Sequence, residues 1–273
     1  MKKHVFIDLD GTLLNSDTEL SLETKEILRK LNNGDLEIVI TTGRQKSFVV
    51  ELLEGVYNLN YLISLNGAEV EDVNQNKILF SEVVNKATCE HFYHFANNKN
   101  LYIKFTSKGK TYYNNLKNAN SEELYINDDN YKNFFENNDV SGFVVYKETH
   151  DEIKELFDEV AKFNDIAIIN YTRSLIDETL VPDLSELTFV DISNKESNKG
   201  NALLKLCKYL NISPNDVIAI GDERNDIPMF KVAGHNVIVE NAFDEIKEYA
   251  HEIIGSNNNS GVAKYLEKHF IKN

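Results

Sequence analysis

The 273 residues carry 29 Lys plus Arg against 44 Asp plus Glu, a formal net charge of −15, with 42% hydrophobic and 27% charged residues. At about 150 residues per domain the length points to two domains, and the charge argues against nucleic acid or an anionic membrane surface as partner. No run approaches the roughly 18 apolar residues of a membrane span, and the apolar run behind Met1-Lys2-Lys3 stops at Asp8, too soon for a secretory signal.

In chain order, short apolar runs alternate with helical patterns. Val5–Ile7 predicts a strand that ends at Asp8. Ser21 caps a helix carrying Leu22, Ile27, Leu28 and Leu31. Leu36–Thr41 predicts a second strand, Phe48–Leu53 a helix, and Tyr61–Leu65 a third strand. These runs are continuous rather than alternating, as expected of parallel strands covered by helices on both faces. From about residue 83 the texture changes. Leu101–Thr106 and Thr111–Asn114 flank Ser107-Lys108-Gly109-Lys110, a hairpin signal. Asn-rich stretches at 114–120 and 127–138 read as polar loops and poor helices. Gly142–Tyr146 predicts a strand, and Thr149–Phe163 a helix with a Thr149…Glu152 capping box and a stripe of Ile153, Leu156, Phe157 and Val160. Ile166–Tyr171 and Leu187–Ile192 predict two more strands, and Tyr171, Arg173 and Ser174 read as a surface loop. The α/β pattern then returns. A helix over Asn201–Leu210, opened by Lys199-Gly200, buries Leu203, Leu206, Cys207 and Leu210. Ser213-Pro214 reads as an N-cap followed by proline in the first turn, and Val217–Ile220, Val237–Val239 and Glu252–Ile254 predict strands.

The expected fold class is therefore α/β: a Rossmann-like parallel-sheet core of residues 1–82 and 195–273, interrupted by an α+β domain of residues 83–194. Short hinges near Ser81–Asn85 and Asn194–Asn198 join them. Cys89 and Cys207 form neither a CxxC pair nor a disulfide framework, so a reducing cytoplasm is expected.

Two acidic motifs end predicted strands. Asp8-Leu9-Asp10-Gly11-Thr12 follows Val5–Ile7, and Gly221-Asp222-Glu223-Arg224-Asn225-Asp226 follows Val217–Ile220. Open α/β sheets bind ligands outside the carboxyl ends of their strands, where strand order reverses. If the two strands are neighbours, Asp8, Asp10, Asp222 and Asp226 converge. Such crowding demands a cation, and hard oxygen ligands favour Mg²⁺. Thr41-Thr42-Gly43-Arg44 ends another strand and offers a hydroxyl and backbone N–H groups to a phosphate oxygen. Lys199, at a helix start, adds positive charge.

The order of these pieces carries a resemblance. DxDGT at 8–12, Thr42-Gly43-Arg44, Asn66-Gly67-Ala68, Lys199-Gly200, GDxxND at 221–226, Asn241-Ala242 and Ser260-Gly261-Val262-Ala263 together resemble the haloacid dehalogenase superfamily. The likeness is greatest to its Cof-type phosphatases, which carry a type IIB α+β cap. That resemblance implies that Asp8 is a nucleophile forming an aspartyl phosphate and that Asp10 is the acid/base. It implies Mg²⁺ held by Asp8, the Asp10 carbonyl and Asp222, with Asp226 supporting the metal's water shell. It implies phosphate contacts from Thr42, Lys199 and Asn225 and from the N–H groups of Leu9 and Gly43. The implied substrate is a small phosphorylated metabolite, a sugar phosphate or a phosphorylated cofactor, with no nucleic-acid or membrane partner. Oligomeric state is not readable, and a monomer is the default expectation. Two alternatives stay open: a phosphosugar mutase of the same fold, and a catalytically silent binding protein. GDERND lacks the glycine-containing insertion of the mutases, and Asp8, Lys199 and Asp222 are all present. Two departures from the family pattern are Glu240, where a glycine usually precedes Asn-Ala, and Gln45, where proline is frequent after Thr-Gly-Arg.

Overall fold

The structure, a computed structural model, describes residues 3–32, 34–115, 124–146, 150–169 and 189–271. Tyr171, Arg173, Ser174 and Thr149 of the expected capping box lie outside the described residues. The chain divides into two compact units, one of residues 1–80 and 198–273, the other of residues 81–197.

The first segment holds β1 (Lys3–Ile7), α1 (Leu22–Leu31), β2 (Leu36–Thr41), α2 (Lys46–Leu53), β3 (Tyr61–Ser64), β4 (Glu69–Asp72) and β5 (Lys77–Ser81). The inserted unit holds α3 (Lys86–Asn98), β6 (Tyr102–Ser107), β7 (Lys110–Tyr113), α4 (Tyr131–Asn137), β8 (Gly142–Tyr146), α5 (His150–Val160), β9 (Ile166–Ile168) and β10 (Phe189–Asn194). The last segment holds α6 (Lys199–Leu210), β11 (Val217–Gly221), α7 (Ile227–Phe230), β12 (His235–Val239), α8 (Asp244–Lys247), β13 (Glu252–Ile254) and α9 (Gly261–Phe270). No helix among the described residues is long and apolar enough to cross a membrane.

The larger unit is built on an eight-stranded sheet of order β13-β12-β11-β1-β2-β3-β4-β5. Pairs β12/β13, β11/β12, β1/β11, β1/β2 and β2/β3 are parallel, and β3/β4 is antiparallel. The continuous apolar runs have the expected cause: Val5, Phe6, Ile7, Ile38, Val39, Ala219 and Ile220 are all buried, so both sheet faces are covered. The helices obey local rules. The Ser21 hydroxyl accepts the Thr24 N–H at 3.0 Å and starts α1. Leu22, first in α1, is 80% exposed and stands off the stripe that Ile27, Leu28 and Leu31 bury. The Asn198 side chain accepts the Asn201 N–H at 2.8 Å and starts α6, two residues earlier than the apolar pattern suggested. Ser213-Pro214 opens only a short 3₁₀ turn over Pro214–Asp216.

The inserted unit carries a five-stranded antiparallel sheet, β7-β6-β8-β10-β9. Its burial alternates along β6 and β8, because helices cover one face. Ile103, Phe105, Phe143, Val145, Val190 and Ile192 join Phe92 and Tyr93 of α3 in a second core. The hairpin turn at Lys108 and Gly109 takes φ of 49° and 70°, both left-handed, which matches strand twist. Three elements here and nearby had no strong signal. Helix α3 was not expected, although Cys89, Phe92, Tyr93 and Ala96 form a buried helical stripe. Helix α4 is a seven-residue helix inside an Asn-rich stretch read as polar loops and poor helices, and it forms because Phe134 and Phe135 bury against the core. Strand β4 was hidden by its composition, Glu-Val-Glu-Asp, whose Glu71 is paired with Lys46 at 2.7 Å.

Candidate active site

The acidic motifs meet because β1 and β11 are adjacent and strand order reverses between them, β2 and β3 lying on one side and β12 and β13 on the other. The Asp8 N–H extends the β1/β11 ladder by donating to the Ile220 carbonyl at 2.9 Å. After Asp8 the chain makes a wide turn over Leu9–Leu13, broken at Gly11, whose φ is 78°. A Cβ on Gly11 would lie 2.3 Å from Asp222 Oδ2, so glycine is required for both conformation and space. Buried Thr12 then donates its hydroxyl to Asp222 Oδ1 at 2.5 Å.

Lys199, the first residue of α6, is fully buried, and its ammonium donates to Asp8 Oδ1 and to Asp226 Oδ1, each at 2.6 Å. Asp226 Oδ2 accepts the N–H groups of Asp222 at 2.9 Å and Glu223 at 3.1 Å. One oxygen each of Asp8, Asp222 and Asp226 lies within 4.8 Å of the others, the one such group of potential metal ligands among the described residues. Burial raises the Asp8 carboxyl well above the usual range; Lys199 opposes this, and Asp226 and Asp222 add to it. Burial, reinforced by Asp226, pushes Asp222 up to about 7. Lys199 moves the other way from a buried amine: Asp226 and Asp8 outweigh desolvation and hold it protonated. Three carboxylates against one ammonium leave a formal −2 in a largely buried site. A hard divalent cation fits that donor set.

A second group surrounds the first. Both oxygens of Asp10 are held by Arg44, with Nε at 3.0 Å from Oδ2 and Nη2 at 2.6 Å from Oδ1. The guanidinium also lies 4.4 Å from the Phe48 ring centroid, and its bond to Asp10 raises its pKa. Thr42 is buried; its N–H donates to the Ile63 carbonyl at 2.9 Å and its hydroxyl accepts the Arg44 N–H at 3.1 Å. Leu9 is buried in the core that supports the loop. Asn225 Nδ2 donates to Asn66 Oδ1 at 3.1 Å, and the Asn66 amide packs onto Gly43.

The structure thus joins Asp8, Asp222, Asp226 and Lys199 in one network, pairs Asp10 with Arg44, and links Asn225 and Gly43 through Asn66. Three residues with roles here were not picked out from the sequence. Arg44 and Asn66 stood inside quoted motifs, and their positions at the ends of β2 and β3 were the available signal. Asn241 was the third: its Nδ2 donates to the Gly11 carbonyl at 2.8 Å and its Oδ1 accepts the Asn257 N–H at 2.9 Å. The Glu240 N–H before it donates to the Ile254 carbonyl at 2.9 Å.

The sequence profile of the haloacid dehalogenase-like hydrolases matches residues 5–266. The chain belongs to this family. It is an enzyme of hydrolase type whose curated relatives are phosphatases. Phosphatase YwpJ of Bacillus subtilis is 29% identical, over 98% of this chain and 100% of the relative. The 5-amino-6-(5-phospho-D-ribitylamino)uracil phosphatase YwtE of the same organism is 28% identical, over 97% of each. Among solved structures, the haloacid dehalogenase subclass IIB sugar phosphatase BT4131 shares the fold, with a TM-score of 0.73 at 18% identity over 97% of this chain and 98% of that one. The α/β fold with an inserted antiparallel sheet is thus one that this chain shares with a solved haloacid dehalogenase structure.

Proposed function

We propose that this chain is a Mg²⁺-dependent phosphatase that hydrolyses a small phosphorylated metabolite through an aspartyl-phosphate intermediate. The observation that carries the reading is the Lys199 ammonium, buried 2.6 Å from both Asp8 and Asp226 at the point where the sheet's strand order reverses. Held between two carboxylates, that ammonium stays charged inside the protein and stands beside Asp8, where an incoming phosphoryl group would share it.

In this reading one Asp8 oxygen attacks phosphorus as the ester P–O bond breaks, and Asp10 gives its proton to the departing oxygen. Water then attacks the aspartyl phosphate while Asp10 takes the proton back. Lys199, Asn225, the Thr42 hydroxyl and the N–H groups of Leu9 and Gly43 would hold the phosphoryl oxygens. Asp8, Asp222 and the Asp10 carbonyl would hold Mg²⁺. Asp226, whose oxygens already accept from Lys199 and two backbone N–H groups, would support its water shell. When bound, the cation would neutralise the carboxylate cluster and the incoming phosphate. We read residues 1–82 and 195–273 as the core and 83–194 as a type IIB cap, where substrate choice would reside. The small phosphorylated compound in the name of YwtE, a 5-phospho-D-ribitylamino uracil, supports a small phosphorylated metabolite as substrate, and we keep a sugar phosphate or a phosphorylated cofactor as the expected class. Two free, buried cysteines support a reducing cytoplasmic setting.

The test is phosphate release from a panel of phosphorylated metabolites, with Mg²⁺, with EDTA, and with Asp8→Asn. Free phosphate is expected only with Mg²⁺ and Asp8 both present. Activity surviving in Asp8→Asn would sink the covalent route, and an isomeric phosphate product would convert the reading to a mutase.

A further inference from the structure

We propose that Asn66 is a further phosphoryl-binding residue, its side-chain amide donating to a phosphate oxygen beside Gly43 while Asn225 holds it in place. The inference rests on the phosphatase reading above and adds a ligand to it.

The first observation is the backbone. Leu65, Asn66 and Gly67 take successive φ values of 51°, 55° and 95°. Leucine is a poor occupant of the left-handed region, and such a position costs about 1–3 kcal/mol. The turn is nonetheless clamped in place. The Leu65 N–H donates to the Arg44 carbonyl at 3.2 Å and the Asn66 N–H to the Thr42 carbonyl at 3.0 Å. On its other side a Cβ on Gly67 would lie 2.3 Å from the Asn198 carbonyl oxygen, one residue before Lys199. A strained turn is thus wedged between the Thr42-Gly43-Arg44 segment and the start of α6.

The second observation is what the turn presents. The Asn66 Nδ2 and Oδ1 lie 3.1 Å and 3.2 Å from the point where a Gly43 Cβ would stand, so the amide lies close against Gly43 and a side chain there would crowd it. Asn66 Oδ1 accepts the Asn225 Nδ2 at 3.1 Å. That bond assigns the amide's two ends: the oxygen is used by Asn225, and the nitrogen is the donor. Asn225 and Gly43 come from separate loops, after β11 and β2, and both are phosphate contacts in the proposed mechanism. A donor held between them faces the same anion.

A turn role alone makes a different prediction. Glycine adopts left-handed φ more readily than asparagine, so a purely conformational Asn66 is replaceable by glycine. The experiment uses Asn66→Gly and Asn66→Asp in the full chain, with Asn211→Gly as control. Asn211 is also left-handed, φ 54°, but ends α6 away from these loops. Read for each are kcat and KM for p-nitrophenyl phosphate, the inhibition constant of inorganic phosphate, and the urea midpoint. Asn66→Gly is expected to keep the urea midpoint while KM and the phosphate inhibition constant rise about tenfold or more, the loss of one hydrogen bond to a charged ligand. Asn66→Asp keeps the acceptor for Asn225 and a tolerated left-handed residue but turns a carboxylate toward the phosphate, so both constants rise further. Asn211→Gly leaves them unchanged. Wild-type KM and phosphate inhibition in Asn66→Gly would overturn the inference. Should that variant not fold, unchanged constants in Asn66→Asp would do the same. A wild-type protein inert toward every phosphate ester would instead overturn the phosphatase reading and this inference with it.

Discussion

The two ends of the eight-stranded sheet make an instructive pair. At the amino ends of the strands lies a cleft of about 800 Å³, lined by Lys3, His4, Glu37, Asn60, Asp72 and Asp216 among others. At the carboxyl ends stand Asp8, Asp222, Asp226 and Lys199. The cleft is roomy and polar, yet its buried carboxylates already have partners: Asn60 Nδ2 donates to both oxygens of Glu37, at 2.9 and 3.0 Å, and Asp72 Oδ1 accepts the Gln75 N–H at 2.9 Å. The carboxyl end is crowded and unbalanced in charge. Helix α6 runs between the two, beginning at Lys199 and ending at Leu210 beside the cleft. Its start offers N–H groups and the positive end of a dipole, and its end offers carbonyls. On the proposed reading, volume does not mark the chemistry, and unbalanced buried charge at the start of α6 does.

Three experiments would break or sharpen that contrast. The largest effect is expected from Lys199→Met, which leaves Asp8 and Asp226 buried without their cation. Phosphate release should fall by about a thousandfold or more, and urea unfolding in EDTA should show a loss of about 3–5 kcal/mol. A stable, fully active variant would erase the distinction between the two ends. Next is Arg44→Ala, which frees Asp10 from its two-point hold. Protonating a poor leaving group depends on a well-placed acid. The kcat/KM for an alkyl phosphate should therefore fall about tenfold more than that for p-nitrophenyl phosphate; equal losses would reduce Arg44 to a packing role. The smallest effect on turnover belongs to the cleft. Asn60→Ala strips a buried carboxylate of its amide and should cost about 1–3 kcal/mol in urea unfolding. Its kcat and KM should stay at wild-type values, and a tenfold change in either would reassign the cleft to function.

Legibility followed the same physics. The parallel strands β1, β2 and β11 were visible as continuous apolar runs because both their faces are buried. Strand β4 was not, because Glu69, Glu71 and Asp72 are acidic yet buried there, Glu71 through an ion pair with Lys46. In the inserted unit, β6 showed in a hairpin signal and β8 as a short strand run, while α4 depended on Phe134 and Phe135 finding a core that a run of asparagines does not announce. At the site, Asp8 and Asp222 stood out because each ends an apolar strand.

The sequence by itself determined the α/β class, the two acidic strand ends, the basic Lys199 at a helix start and the family, since these depend on residue type and order along the chain. Only the tertiary structure decided that β1 and β11 are neighbours, that Lys199 is shared at 2.6 Å by Asp8 and Asp226, that Arg44 grips Asp10, and that Asn66 bridges Gly43 and Asn225. Those contacts span from tens to more than two hundred residues of chain. Their partners are chosen by sheet pairing and burial, which local pattern does not encode.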